Sequence, residues 1–478
     1  MHPVAQRMAA LDRLAQQTRR PGQAAIMHAV AARLAYQEHP GRFRLDEIER
    51  GLGRLAAASG DRPDRLDDPP ERVLHVASSV HSVGGHSRLL QRWIETDSNR
   101  RHDLVLTDQG PNVPAGILKA LTEAGGQLHM LNRKHGPLRR ASALKRRAKA
   151  VDLVVLHQHP DDVIPSLALR DGPPVALLNH ADHVSWIGLD VATWIINLRT
   201  SGSLLTQRRR GVHPSRCLTL PIPLADEQRR LSRADAKARL SLPTDAVCLV
   251  TMANPYKYEG PIGLRSLVRP FLRNPRVHLL AVGAQPTSGW ARLNAEHPGQ
   301  VHAYGQVPDP SDQLDAADVY LDSYPMASLT SLLQAALRGT PTLSYMPSPD
   351  PEMHVLASNS PGLDTEHLVA HNRDAYSFLL NSLLGDPAAA RQRGERLSAS
   401  IRTHHVGPAW ARRVDRVYES MSARVDLRLQ PLGAPGDLDL ELVALHASAE
   451  WRGAVQATLP ERKLLPRGVQ ARLKREDV

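Results

Sequence analysis

The chain has 478 residues, which is enough for two or three domains with buried cores. Lys and Arg number 60 against 49 acidic residues, and the net charge of +11 favours anionic partners such as nucleotide phosphates or acidic lipids. Aromatic residues make up only 4%, which argues against stacking on single-stranded nucleic acid, so no nucleic-acid partner is expected. No apolar run could span a bilayer, and Cys217 and Cys248 are predicted to be reduced core residues of a cytoplasmic protein.

The first 58 residues or so are predicted to form three short helices. Apolar residues recur there at helical spacing, and the pattern is broken at Pro21-Gly22 and Pro40-Gly41. We interpret this segment as a helical extension for docking or oligomerisation. A linker rich in Asp and Pro follows at 59–70.

Beyond the linker, apolar strand candidates alternate with helical stretches. Those of the first half are Val73–Ala77, Asp103–Thr107, Gln127–Leu131, Leu153–His157, Val175–Leu178 and Trp194–Asn197. After a predicted helix over Asp226–Leu240, those of the second half are Val247–Thr251, Val277–Val282, Val301–Tyr304, Asp318–Leu321 and Thr342–Ser344. This alternation predicts two α/β domains, each a parallel sheet with helices on both faces. An amphipathic helix is predicted over Ala409–Met421.

A glycine-containing loop follows the first predicted strand. Gly84 and Gly85 would let the backbone approach a ligand closely, and the helix that begins there would offer N–H groups to an anion. The dinucleotide fingerprint G-x-G-x-x-G is absent, which disfavours a dehydrogenase.

Two histidine-rich segments, 157–162 and 179–186, also follow predicted strands. Open α/β sheets bind ligands at the carboxyl ends of their strands. A histidine at such a place can accept a proton near neutral pH, and a nearby carboxylate increases its basicity. A purely structural role, with the imidazoles hydrogen-bonded at strand ends, is the alternative.

The second half has two comparable loops. Lys257 comes shortly after a predicted strand, where its ammonium group could neutralise a diphosphate. The stretch Ala317–Pro341 has the order strand, polar loop, helix, which makes an anion site in doubly wound sheets. The hydroxyls of Ser328, Thr330 and Ser331 would add donors there.

Taken together, these segments resemble the GT-B glycosyltransferases, above all bacterial enzymes akin to the O-GlcNAc transferases. The resemblance covers about residues 72–422 and is strongest over 301–344, where an aspartate, a proline, a small-residue loop, a helix and Gly339-Thr340-Pro341 follow one another. It implies two Rossmann-like, doubly wound parallel-sheet domains that face a cleft. The implied division is a helical extension with linker (1–65), an acceptor-side domain (66–223), a nucleotide-sugar domain (224–402), a crossover helix (403–424) and a tail (425–478).

The resemblance also implies site residues. Those expected to bind the nucleotide sugar are Gly84, Gly85, His86, Arg88, Asn254, Tyr256, Lys257, Gln306, Ser328, Thr330, Ser331 and Gln334. Gln334 stands where relatives place an acidic residue for the ribose. The paired glutamates of retaining enzymes are missing, with Met326 and Gln334 about where they would fall, so inversion is expected. His180 or His183 would then be the base, oriented by Asp182, with Lys257 opposite the departing diphosphate.

The expected function is transfer of a sugar from a nucleotide-diphosphate sugar, a UDP-sugar, to a glycan, a lipid-linked glycan or a protein, without a metal or further cofactor. Basic residues at 133–149 and 208–210 would suit peripheral contact with an anionic inner membrane. Two alternatives stay open. One is a non-catalytic GT-B-like scaffold, motivated by Gln334; the other is a zinc-dependent sugar N-deacetylase, suggested by H-P-D-D and H-x-D-H but lacking the glutamate that Val163 replaces.

Overall fold

The structure is a computed structural model that describes residues 3–56, 62–82, 85–258, 263–448 and 451–452. The chain divides into two compact units. The first comprises the residues up to Leu198, Gly202–Leu220 and those from Ala411 onward, and the second comprises Arg199–Ser201 and Pro221–Trp410.

The first unit is built on a seven-stranded parallel sheet with the order β3-β2-β1-β4-β5-β6-β7. Its strands are β1 (Arg72–Ala77), β2 (Arg101–Leu106), β3 (Leu128–Met130), β4 (Leu153–His157), β5 (Val175–Asn179), β6 (Trp194–Asn197) and β7 (Cys217–Thr219). The helices up to β7 are α1 (Pro3–Gln17), α2 (Pro21–Gln37), α3 (Asp46–Leu55), α4 (Gly85–Thr96), α5 (Ala115–Glu123), α6 (Pro137–Ala148), α7 (Val163–Ala168) and α8 (Thr200–Arg210). The chain runs outward from β1 to one edge and then from β4 to the other, so the topological switch point lies between β1 and β4.

The three N-terminal helices are part of the core of this unit. Met8, Leu11 and Leu52 are fully buried, and they belong to the same apolar cluster as Leu74 of β1 and Leu156 of β4. The interpretation of this segment as a docking appendage is therefore wrong in one respect, since the apolar stripes of α1–α3 are already covered by one another and by α6 and α7.

The second unit is built on a six-stranded parallel sheet with the order β10-β9-β8-β11-β12-β13. Its strands are β8 (Val247–Met252), β9 (Val277–Val282), β10 (Val301–Gly305), β11 (Val319–Leu321), β12 (Thr342–Tyr345) and β13 (Leu368–Ala370). Its helices are α9 (Arg233–Arg239), α10 (Leu264–Val268), α11 (Ser288–Glu296), α12 (Ser311–Ala316), α13 (Thr330–Leu337), α14 (Arg373–Gly385) and α15 (Pro387–His405). By the same reasoning as in the first unit, the switch point lies between β8 and β11. The two parallel sheets with their helices confirm the predicted fold class.

Two further helices complete the described chain: α16 (Gly407–Ser420) and α17 (Asp437–His446). The residues of α16 through Trp410 belong to the second unit and the later ones to the first. In the first unit the Tyr418 hydroxyl contacts Asp97, and the Trp451 indole donates to the carbonyl of Gln37 on α2. None of the helices in the described ranges combines the length and apolarity needed to cross a bilayer.

Candidate functional site

In the second unit, the loops after β8 and β11 meet at the switch point. Lys257 lies in a short 3-10 turn, Pro255–Tyr258, just after β8. Its ammonium group donates to the carbonyl of Ala327 at 2.7 Å, and its own carbonyl accepts from Met326 N at 3.4 Å. The predicted cation and the predicted small-residue loop are therefore held together.

Asp322 holds the β11 loop in shape from inside the protein. Its carboxylate is 3% exposed, and one oxygen accepts from the backbone N–H and the hydroxyl of Ser328, both at 2.8 Å. The other oxygen accepts from the Ser344 hydroxyl on β12 at 2.9 Å. The Ser328 hydroxyl also hydrogen-bonds to Tyr320 at 2.9 Å, so its proton is engaged within the protein. The hydroxyls that we propose as donors to a ligand are therefore those of Thr330 and Ser331.

The helix α13 begins directly after this loop. Leu329 precedes it with φ +44°, a left-handed conformation that costs a non-glycine residue about 1–3 kcal/mol. A leucine side chain cannot cap a helix, and none of the first-turn amides receives a side-chain cap from it. The half-buried Thr330 and Ser331 thus add hydroxyls beside amides and a helix dipole that favour an anion.

Gln334 lies one turn further along α13, on the face shared with Thr330 and Ser331. Its amide donates to Glu227 at 3.1 Å, and the second oxygen of Glu227 accepts from Arg338 at 2.6 Å. A glutamate at 334 would place two carboxylates in contact. The Glu227 carboxylate therefore gives a physical reason for glutamine at this position.

The remaining predicted residues of this unit lie further out. Asn254 is exposed and hydrogen-bonds to the half-buried Tyr256, whose pKa is raised by burial. Gln306 is exposed and follows the edge strand β10, two strands away from β8. The structure thus brings Lys257 to the α13 loop and leaves Gln306 on a separate part of the sheet edge.

In the first unit, histidines from three loops meet at the switch point between β1 and β4. His86 stands in the first turn of α4 and hydrogen-bonds to the backbone of His157, and its ring lies 4.3 Å from that of His180 after β5. Gly85 begins α4 and is exposed, as is Arg88, whereas Gly84 lies outside the described residues. The sequence predicted His86 for the nucleotide sugar and His180 for the base, and the structure makes them neighbours.

The two predicted base candidates differ in their surroundings. Burial, together with the neighbouring His86 and His159, holds the pKa of His180 well below its usual 6.5, which makes it a weak base. His183 Nδ1 lies 3.6 Å from Asp182, whose backbone carbonyl accepts from Arg210. The pairing of His183 with Asp182 therefore exists, although at a distance longer than a hydrogen bond.

The structure shows a closer histidine–carboxylate pair than the sequence predicted. His159, two residues beyond β4, hydrogen-bonds through Nδ1 to Asp161, which in turn is paired with Arg33 of α2. H-P-D-D was the only sequence signal for it. Nothing in the sequence could connect Asp161 to a residue 128 positions earlier.

Three further histidines form a buried ladder across one face of the sheet. His102 Nε2 bonds to the carbonyl of Asp97 at 2.8 Å, His102 Nδ1 to His75 Nε2 at 2.9 Å, and His75 Nδ1 to His157 Nε2 at 2.9 Å. Burial lowers the pKa of all three, so they are neutral at physiological pH. Nothing in the described part of the chain hydrogen-bonds His157 Nδ1.

Metal binding has no basis in the described ranges. No group of three His, Cys, Asp or Glu residues among them is arranged to hold an ion. The deacetylase alternative, which needs two histidines and an aspartate on one zinc, has no support there.

No protein-family model and no curated protein matches this chain. Solved structures do match its fold. A glycosyltransferase from Rickettsia africae aligns with a TM-score of 0.56 at 8% identity, over 73% of this chain and 98% of its own. The O-GlcNAc transferase of Thermobaculum terrenum aligns with a TM-score of 0.55 at 14% identity, over 91% of this chain and 79% of its own.

HepE of Anabaena, solved with UDP and glucose, aligns with a TM-score of 0.54 at 12% identity, over 73% of this chain and 99% of its own. These neighbours are GT-B glycosyltransferases, as the resemblance predicted. At such low identity they establish the fold, and this chain therefore has the GT-B fold.

Proposed function

Proceeding from this GT-B fold, we propose that the protein is a glycosyltransferase that moves a sugar from a UDP-sugar to an acceptor hydroxyl or amide. The observation that carries the proposal is the contact of Lys257 with the loop that opens α13, which gathers a cation, two hydroxyls and uncapped amides at a switch point. Such a set suits a diphosphate. Structures of HepE hold UDP or UDP-glucose, which supports uridine diphosphate as the ligand.

In the proposed reaction a histidine of the first unit takes the acceptor proton. The acceptor atom attacks the anomeric carbon, the bond from that carbon to the diphosphate oxygen breaks, and UDP leaves. Lys257 and the first-turn amides of α13 neutralise the charge that develops on the diphosphate, a role that needs no metal. Met326 and Gln334 at the positions of the retaining glutamates support a single inverting displacement.

Lys257→Ala tests the donor site directly. We expect kcat to fall by about 10²–10³-fold, because the leaving group loses its cation. Lys257→Arg keeps the charge and should retain part of the rate, and Lys119→Ala, whose side chain is 76% exposed in the first unit, is the matched control. The measurement is UDP release with acceptor present. A Lys257→Ala protein that still binds UDP and turns over at the wild-type rate would contradict the proposal.

A glycan, a lipid-linked glycan or a protein is the proposed acceptor, and the proposed setting is the cytoplasmic side of an inner membrane. The support is a set of exposed basic residues on and around α6: Arg133, Lys134, Arg139, Arg146 and Lys149. An anionic surface would attract them.

A non-catalytic scaffold is the second candidate. Gln334 favours it, since the amide bound to Glu227 replaces the carboxylate expected for the ribose. Calorimetry with a panel of nucleotide sugars, followed by transfer and hydrolysis assays, separates the two candidates. Binding without turnover, even with candidate acceptors, would favour the scaffold.

A further inference from the structure

His159 is better organised as a base than the histidines that the sequence favoured. It lies at the carboxyl end of β4 beside the switch point, and its side chain is 40% exposed. Its Nδ1 bonds to the Asp161 carboxylate, which can only accept, so Nδ1 carries the proton and Nε2 carries the lone pair. An accessible imidazole with a free lone pair is what proton abstraction from an acceptor requires.

Asp161 is fixed by a second partner from far away in the chain. Its side chain is 5% exposed, and its other oxygen accepts from Arg33 Nε at 2.5 Å. Burial alone would raise the pKa of Asp161, but His159 and Arg33 outweigh it and lower that pKa to about 2. The carboxylate is therefore ionised at every working pH and can stabilise an imidazolium on His159.

The α2 helix supplies two contacts to this pair. Arg33 and Tyr36 are one turn apart on α2, so they share a face, and the Tyr36 ring meets the His159 ring edge-on at 4.6 Å between centroids. The ring is held from the side by Tyr36 and through Nδ1 by Asp161. The N-terminal helices thus position a histidine at the switch point.

The neighbouring histidines are less suited to the task. Beyond Asp161, Arg33 and Tyr36, the titratable groups near His159 include His86 and His180, and burial lowers the pKa of each. His183 has its carboxylate at 3.6 Å rather than in a hydrogen bond. Only His159 combines a bonded, ionised carboxylate with an exposed ring edge among the described histidines of this cluster.

We propose that His159 is the general base of the transfer reaction, that Asp161 orients it, and that Arg33 of α2 is a positioning residue acting through Asp161. This rests on the proposed glycosyltransferase function. The acceptor O–H or N–H proton passes to His159 Nε2, the acceptor atom bonds to the anomeric carbon, and UDP departs with the bonding pair. The resulting imidazolium, paired with Asp161, returns its proton to water.

The test compares His159→Gln, Asp161→Asn, Arg33→Gln and Arg33→Lys with His135→Gln, a histidine of the β3–α6 loop, as control. UDP affinity measured by calorimetry should stay within about twofold in every variant. We expect kcat to fall about 10²–10⁴-fold in His159→Gln, with loss of the rise in rate at the acidic side of the pH profile. Arg33→Gln should lower kcat without changing KM, and Arg33→Lys should recover part of the loss.

A second readout checks the geometry independently of turnover. Nitrogen chemical shifts should show the His159 proton on Nδ1 in the wild type and a mixture of tautomers in Asp161→Asn. A wild type that turns over while His159→Gln keeps its rate and pH profile would overturn this inference and leave the glycosyltransferase intact. A wild-type protein that binds UDP but transfers no sugar would overturn both the assignment of His159 as base and the glycosyltransferase function. A proton found on His159 Nε2 would overturn the assignment of the base whether or not the protein transfers sugar.

Discussion

At the scale of single residues, Ser328 and Thr330 show how two nearby hydroxyls differ. Ser328 is 9% exposed and bonded to Asp322 and Tyr320, so it braces the loop from inside. Thr330 is half-buried and opens α13 beside Ser331. The first should matter for stability and the second for a ligand.

Ser328→Ala should lower the free energy of unfolding by about 1–3 kcal/mol, because it leaves the Asp322 carboxylate and the Tyr320 hydroxyl short of a partner. The double variant Thr330→Ala, Ser331→Ala should leave stability nearly unchanged and weaken UDP binding by about tenfold. Denaturant unfolding and calorimetry measure the two effects. Equal losses of UDP affinity in both proteins would mean that the hydroxyls do not divide in this way.

At the scale of elements, α3 is attached to the 188–190 turn through one carboxyl group. Glu49 Oε1 accepts from Gly188 N at 2.6 Å and from Leu189 N at 2.9 Å. Burial, with Asp190 nearby, raises the pKa of Glu49 from 4.5 to about 8. The folded state therefore keeps a proton that the unfolded state releases above pH 4.5. The contribution of Glu49 to stability is full below that pH and is lost as the pH rises through 8.

Glu49→Gln keeps an oxygen for both amides and removes the titration. We expect this variant to exceed the wild type in free energy of unfolding at pH 8 by more than about 1 kcal/mol, and the advantage to shrink toward pH 5. Denaturant titrations at the two pH values provide the measurement. If Glu49→Gln is less stable than the wild type at pH 8, the prediction is wrong. The Glu49 carboxylate would then be ionised in the folded protein and stabilised by the amides of Gly188 and Leu189.

The strands that are buried on both faces could be predicted from the sequence, because such burial requires a run of apolar residues. Leu153–His157 was predicted with the bounds that β4 has, and it is buried throughout. The edge strands β7 and β13, three residues each, were missed because they are short and only partly buried. The helix predicted over Asp226–Leu240 forms only from Arg233, since Arg230 N and Leu231 N donate to Asp315 instead and Ser232 caps the helix.

The sequence likewise predicts some residues of the candidate site and not the contacts that hold them. Histidines and lysine at strand ends are visible in the sequence because strand ends carry ligands in this fold. The residues that fix the side chains of the site are distant in the sequence. Arg33 holds Asp161 in this way, and Glu227 holds Gln334. Such pairs leave no periodicity to detect.

At the scale of the whole molecule, each unit has an apolar core of its own. Leu52 and Met8 lie in the core of the first, and Leu380 lies in the core of the second. Proteins of this kind unfold in more than one step. A change in one core should therefore leave the other transition in place.

Leu52→Ala should lower the stability of the first unit by about 2–5 kcal/mol, because it opens a cavity where α3 packs against α1, α2 and α7. Leu380→Ala is the matched change in the second unit, and UDP should raise only the transition that Leu380→Ala lowers. Differential scanning calorimetry follows both transitions. A Leu52→Ala protein whose melting profile matches the wild type would show that the Leu52 side chain contributes little to this core.

The ladder of His102, His75 and His157 has a fixed polarity. The Asp97 carbonyl can only accept, so His102 holds its proton on Nε2 and must accept at Nδ1 from His75. His75 in turn accepts at Nδ1 from His157, which leaves a bare lone pair on His157 Nδ1. One main-chain oxygen thereby dictates the tautomer of three rings, and the last ring offers a hydrogen-bond acceptor, never a donor, to whatever reaches it.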